Sequence, residues 1–172
     1  DPEQHHQAEL GATWATGRTE VKASVYYNRV TDYILTDKLT VGGSTATGYR
    51  NIDAELYGGE LKVAQGLGEH WRARATAAYV HGTNTTDDEP LPQIPPLEGT
   101  LGLDYRRATW EAGAEVRMVD EQDRVDLESG QDAQETPGYA VVNLHGEARL
   151  PARMTLKLGV DNLLDKTYAE HI

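Results

Sequence analysis

Residues 71–79 read W-R-A-R-A-T-A-A-Y, and parity separates two chemistries in them. Trp71, Ala73, Ala75, Ala77 and Tyr79 fall on one side; Arg72, Arg74, Thr76 and Ala78 fall on the other. Successive side chains of a β-strand point to opposite faces, whereas a helix would scatter both sets around its circumference. The apolar side is made of small residues bracketed by two aromatics, ~26 Å apart over eight steps of ~3.3 Å. A tilt of ~40° shortens this to ~20 Å along a membrane normal, close to the apolar band between the aromatic girdles of an outer-membrane barrel. One such strand would serve equally as a face of a soluble sandwich, so the rest of the chain decides.

The same alternation recurs along the chain. Strand one carries Ala8, Leu10, Ala12 and Trp14 on its apolar side, and strand two carries Val21, Ala23, Val25 and Tyr27. Strand three carries Tyr57, Gly59, Leu61 and Val63, and strand four is the stretch already described. Leu101, Leu103 and Tyr105 mark strand five; Trp110, Ala112, Ala114, Val116 and Met118 mark strand six. Ala140, Val142, Leu144, Gly146, Ala148 and Leu150 mark strand seven, and Met154, Leu156, Leu158 and Val160 mark strand eight. Short turns are expected at 15–19, 65–70, 106–109 and 151–153. Long loops are expected at 35–48, which is rich in Thr, Gly and Ser, at 82–96 and at 120–138. Proline donates nothing to a ladder, so strand five should begin only after Pro96.

Short and long connections therefore alternate, as periplasmic turns and extracellular loops do in a bacterial outer-membrane barrel. A closed barrel also leaves no unpaired edge in lipid. The expected fold is all-β: an antiparallel up-and-down meander of about eight strands, part of a transmembrane β-barrel. The opposite face collects Glu60, Lys62, Arg72, Arg74, Glu111, Glu115, Arg117, His145, Glu147, Arg149, Lys157 and Asp161. Charges of both signs on neighbouring strands suit a watery lumen or a polar plug and not the dry interior of a small soluble barrel. A soluble up-and-down barrel with these charges outside is the competing architecture. The residues expected to face the membrane are Leu10, Trp14, Val25, Tyr27, Tyr57, Leu61, Trp71, Tyr79, Leu101, Leu103, Trp110, Val116, Leu144, Leu156 and Leu158.

Composition narrows the function. The formal net charge of the 172 residues is −12, which argues against nucleic acid as a partner. Cysteine is absent, so disulfides and thiol chemistry are excluded. Phenylalanine is also absent, for which there is no physical account. No run is long and apolar enough for a transmembrane helix. The chain opens Asp1-Pro2-Glu3 with no signal peptide, so an exported barrel of this sequence reads as an internal piece of a longer precursor.

Candidate chemistry is sparse. His5 and His6 are adjacent and so face opposite ways, a poor pair for one metal ion. Asp87, Asp88 and Glu89 offer oxygen ligands to calcium but read more simply as a solvated loop. Asp120, Glu121, Asp123, Asp126 and Glu128 are similar, with cations bridging lipopolysaccharide as one use. A copper site wants thioether, thiolate or imidazole, and Met118 and Met154 both turn to the apolar face. The Asn84-Thr85-Thr86 acceptor pattern has no weight in a bacterial envelope protein. No nucleophile–base pair, phosphate loop or zinc spacing occurs, so no enzyme, cofactor or resident metal is expected.

G-V-D-N-L-L-D-K-T-Y at 159–168 resembles the C-terminal signature of TonB-dependent receptors, through Gly159, Asn162, Leu163, Asp165, Lys166 and Tyr168. Y-R-N-I-D-A-E-L-Y-G-G-E-L at 49–61, Q-I-P-P-L-E-G at 93–99 and the tail T-Y-A-E-H at 167–171 resemble the copper-receptor branch of that family. The resemblance implies a 22-stranded outer-membrane barrel enclosing an N-terminal plug that engages the TonB complex. Residues 1–172 would be the C-terminal part of the barrel domain, without the plug and the final strand, stopping at Ile172 in an extracellular loop. The implied partners are outer-membrane lipid, the receptor's own plug and TonB, and a metal or metal-chelate cargo, copper included. The alternative is a small barrel complete on eight strands, acting as a structural or binding protein.

Overall fold

The computed structural model describes residues 1–171, with the side chains of all but 39–41; Ile172, where the chain was expected to stop within a loop, lies outside them. Eight long strands and one two-residue strand form a single antiparallel sheet. They are β1 (Gln4–Thr16), β2 (Thr19–Val41), β3 (Ser44–Leu67), β4 (Trp71–Asn84), β5 (Glu89–Pro90), β6 (Glu98–Arg106), β7 (Trp110–Val119), β8 (Tyr139–Leu150) and β9 (Met154–Val160). Each long strand pairs with its sequence neighbours, and β5 folds back on the end of β4. The meander is the expected one. Among the described residues no ladder joins β1 to β9, so the sheet is open and the eight strands do not close into a small barrel.

Two of the expected loops are wrong. Residues 35–48 are not a loop: β2 and β3 run on, paired from Leu35↔Arg50 to Val41↔Ser44, and reverse at Gly42-Gly43. Both glycines have positive φ, 61° and 81°, which a two-residue hairpin turn demands. The Thr-rich flanks are good strand formers, and reading Thr with Gly and Ser as loop composition overlooked that. The second loop, 82–96, begins three residues late, because β4 continues past Tyr79 to Asn84 and Glu89-Pro90 pairs with it. Pro90 is tolerated there on a two-residue edge strand. The strand after the prolines does start beyond Pro96, at Glu98.

Most apolar side chains have no protein neighbour to cover them, and the buried core is small. Val119, Tyr139 and Val141 form one small cluster of it. Val30, Leu35, Ile52, Ala54 and Leu91 form the larger one, with Tyr33, Leu56 and Ile94 packed against them. It lies on the charged face, beyond the level of Tyr27 and Tyr57. A bulge between Val30 and Tyr33 places two residues of β2 opposite one of β3 and brings Tyr33 and Leu35 to the face of Val30. Leu91 and Ile94 come from the proline-rich loop, which therefore folds against the wall.

Candidate functional site

Register converts the strand parities into two continuous faces. Ala75 stands between Val63 and Leu101, and Leu101 stands opposite Val116. Ala73 stands opposite Leu103, Leu103 opposite Ala114, and Ala114 opposite Leu144. Of the residues expected on this face, Leu10, Trp14, Val25, Tyr27, Tyr57, Leu61, Trp71, Tyr79, Leu101, Leu103, Trp110, Leu144, Leu156 and Leu158 are exposed. Val116 is half-buried. Leu10 and Leu158 retain 73% and 68% of their accessible surface, which no soluble core would leave. The aromatics gather at both ends of the apolar band. Trp71 and Trp110 flank Tyr105 at centroid distances of 4.7 and 5.5 Å near the short turns. At the far end Tyr57 stacks on His81 at 4.7 Å.

The other face is charged and internally paired. Asp104 is its centre, with a side chain only 4% exposed. Arg74 donates to it twice, Nε to Oδ2 at 2.7 Å and Nη2 to Oδ1 at 3.0 Å. His145 Nε2 lies 3.0 Å from the same Oδ1. Gly113 occupies the position between Asp104 and His145 on the intervening strand. A Cβ there would collide with Asp104 Oδ1 and lie 2.6 Å from His145 Nε2, so only glycine lets the two meet across β7. Glu111 is paired with Arg106, Lys157 with Glu147 at 3.1 Å, and Arg117 with Glu98 through two bonds. Asp104 was legible as a polar-face residue of strand five, but its partners were not, because parity says nothing of register.

Most acids of the two acidic loops are exposed, Asp87, Asp88, Asp120, Glu121, Asp123 and Glu128 among them, as a solvated loop requires. Asp87 accepts from Arg50 at 2.6 Å and from Asn84 at 2.7 Å. Arg50 and Asn84 together hold its carboxyl below the usual carboxylate range. Asp126 and Asp132 are buried. Asp126 accepts from the Ser129 backbone, while Asp132 accepts from the backbones of Gln93 and Asp126. The Gln122 side chain donates to Ile94 O at 2.7 Å. Loops 91–97 and 120–138 are thereby tied into one lobe. His5 lies beside Asn28 and Glu3.

The C-terminal motif is a turn held by one side chain. Asn162 donates to Lys166 O and accepts from Lys166 N, each at 2.9 Å, and its own N–H meets Asn143 Oδ1. Leu163 N bonds Val142 O, fixing the turn to β8. Gly159 stands opposite His145 in the ladder. Asp165 donates its N–H to Asn162 O, and Tyr168 stacks on Tyr139 at 4.2 Å. Glu170 then pairs with Arg117, and His171 lies 3.6 Å from Asp132. The tail motif docks the loop lobe.

A sheet with an aromatic-edged apolar face, a charged opposite face and long connections at one end is the wall of an outer-membrane barrel. Residues 1–163 match the family described as TonB dependent receptor-like, beta-barrel, and the chain belongs to that family of bacterial outer-membrane transport proteins, which are not enzymes. The metal-pseudopaline receptor CntO of Pseudomonas aeruginosa is 27% identical over 182 residues, 99% of this chain and 25% of that protein. Among solved structures, copper transporter OprC is 37% identical with a TM-score of 0.93, covering 99% of this chain and 26% of its own. The FrpB iron transporter from Neisseria meningitidis (F3-3 variant) is 18% identical with a TM-score of 0.74 over 98% of this chain and 28% of its own, a likeness of fold alone. The chain thus spans about a quarter of the length of the curated relatives it matches.

Proposed function

We propose that this chain is part of the wall of a receptor that carries a metal ion or metal chelate across the outer membrane, with copper as the favoured cargo. The observation that carries the reading is the 37% identity and 0.93 TM-score to copper transporter OprC over nearly the whole chain. The 27% identity to the metal-pseudopaline receptor supports metal as the cargo class and a chelate as its other form. The chain's residues 1–172 form the C-terminal part of the barrel domain, completed by further strands and enclosing a plug that TonB engages. Its apolar face, from Leu10 and Trp14 to Leu156 and Leu158, meets lipid, and its charged face lines the lumen. The open edges at β1 and β9 favour completion by further strands, because unpaired backbone groups in hydrocarbon each cost several kcal/mol.

The test is metal accumulation in cells that produce the full-length receptor or lack it, with copper supplied as the ion and, separately, as a chelate. Copper accumulation should rise with the receptor and vanish when TonB is removed. Equal copper accumulation with and without the receptor would refute copper as cargo.

A further inference from the structure

One cluster on the charged face is left without a role by the wall function. Asp104, Glu111 and His145 come from β6, β7 and β8, and one ligand atom of each lies within 4.8 Å of the others. They line a concavity of about 500 Å³ together with Glu115, Asn143 and Asp161 and with three arginines, Arg72, Arg74 and Arg106. We infer that Asp104, Glu111 and His145 form a binding site for a borderline divalent metal ion on the lumen wall.

The geometry is favourable at its most demanding pair. Two ligands cis to one another on an ion, each ~2.0–2.2 Å from it, stand about 3 Å apart. His145 Nε2 and Asp104 Oδ1 are 3.0 Å apart, joined in this structure by a hydrogen bond whose place the ion would take. Their approach depends on Gly113, since any Cβ would fill the gap between them. Glu111 is held by Arg106 in this structure, so closing the set around an ion requires that pair to open. Arg74 grips Asp104 by both oxygens, which fixes the carboxylate in place, and the lone pair of Oδ1 that an ion would take is the one now facing His145. One imidazole and two carboxylates suit a borderline first-row ion, and Cu²⁺ binds such a set most tightly. Arg74 and Arg106 oppose the incoming charge, so the site holds an ion loosely enough to release it. A transported ion needs this of a resting point. Sequence reading found no such site because the three residues are 7 to 41 positions apart and only register unites them.

The inference rests on the metal-import reading, deepening it to a bare ion at a named place on the route. The test uses the full-length receptor in detergent, loaded with Cu²⁺, with bound copper counted by equilibrium dialysis and its ligands read by electron paramagnetic resonance. The wild type should show a copper with mixed nitrogen and oxygen ligation. His145→Ala should lose one equivalent of bound copper, and Glu111→Gln should weaken that equivalent roughly 10–100-fold, at least the cost of disturbing a supporting shell. The His145 side chain is 38% exposed, so His145→Ala should fold, and an unchanged melting midpoint verifies this. Identical copper stoichiometry and spectra in the wild type and both variants would overturn the site. So would variants that loosen the plug while keeping the copper. Cellular accumulation is read separately: copper import with no change in the spectra sinks the wall site alone, whereas copper bound at the wall without import sinks the import reading alone.

Discussion

Ala75 and Thr76 are chain neighbours at one depth of β4, yet they face opposite environments. Ala75 sits in the row of Val63 and Leu101, while the Thr76 hydroxyl meets that of Thr100 at 2.8 Å. In the full receptor, Ala75→Arg should destabilise by ~2–4 kcal/mol if its face meets lipid, and Thr76→Arg should cost little. A packed interior would also punish Ala75→Arg, so Ala75→Leu supplies the contrast. Lipid accepts the larger side chain, whereas a filled core loses ~1–3 kcal/mol to overpacking. Unfolding midpoints in detergent distinguish the two, and a Leu as harmful as Arg removes the lipid-facing assignment. Asp87 gives a pH test at the same scale. Its carboxyl is held below the ordinary range, first by Arg50 and then by Asn84. A depressed carboxylate contributes stability that is present above its unfolded pKa and lost as pH falls through the folded one. The Arg50–Asp87 clamp should thus be intact from neutral pH down through the ordinary carboxylate range and open only below it. Limited proteolysis of loop 85–97 across that interval reports it, and Asp87→Asn should be cleaved equally at every pH. Facing was legible residue by residue, from Trp71 to Tyr79. The pairing of Arg74 with Asp104 was not, since it depends on which residue of β6 stops opposite which residue of β4.

At the level of elements, the motif at 159–168 identified the family, and the structure gives its local physics. Asn162 has φ of 50°, a backbone conformation that asparagine tolerates better than most residues, and its amide bridges both backbone groups of Lys166. Asn162→Ala removes these bonds at about 1 kcal/mol each. The expected outcome is a tail that detaches from β8, read as faster amide exchange at Leu163 and Asp165 with β4–β7 unchanged. The β2–β3 hairpin shows why some boundaries escaped. Thr36, Thr40, Ser44, Thr45 and Thr47 look like loop by composition and like strand by β-propensity, and long-range pairing chose the strand. Loop 120–138 escaped differently. Asp120, Glu121, Asp123 and Glu128 are exposed as expected, but Asp126 and Asp132 are buried as acceptors of backbone N–H groups, a use that composition does not reveal.

Taken whole, the sheet has two liabilities, an apolar face without cover and open edges at β1 and β9. Such a sheet should aggregate in plain buffer through both. Detergent covers the face, so the isolated chain should give β-rich circular dichroism there. A cooperatively melting, monodisperse monomer without detergent would contradict the membrane assignment. The length of β2 and β3, 23 and 24 residues, has a different consequence. Fifteen steps separate Tyr27 from Gly42, ~50 Å of strand at ~3.3 Å per residue, most of it beyond an apolar band only ~25 Å tall. In the receptor proposed above, the hairpin would thus rise like a mast beyond the lipid, with Gly42 and Gly43 at its tip and, among the described residues, nothing within 4 Å of where their side chains would be. On that reading, an antibody or phage tail fibre approaching this wall from outside would meet the tip before it met the lumen face.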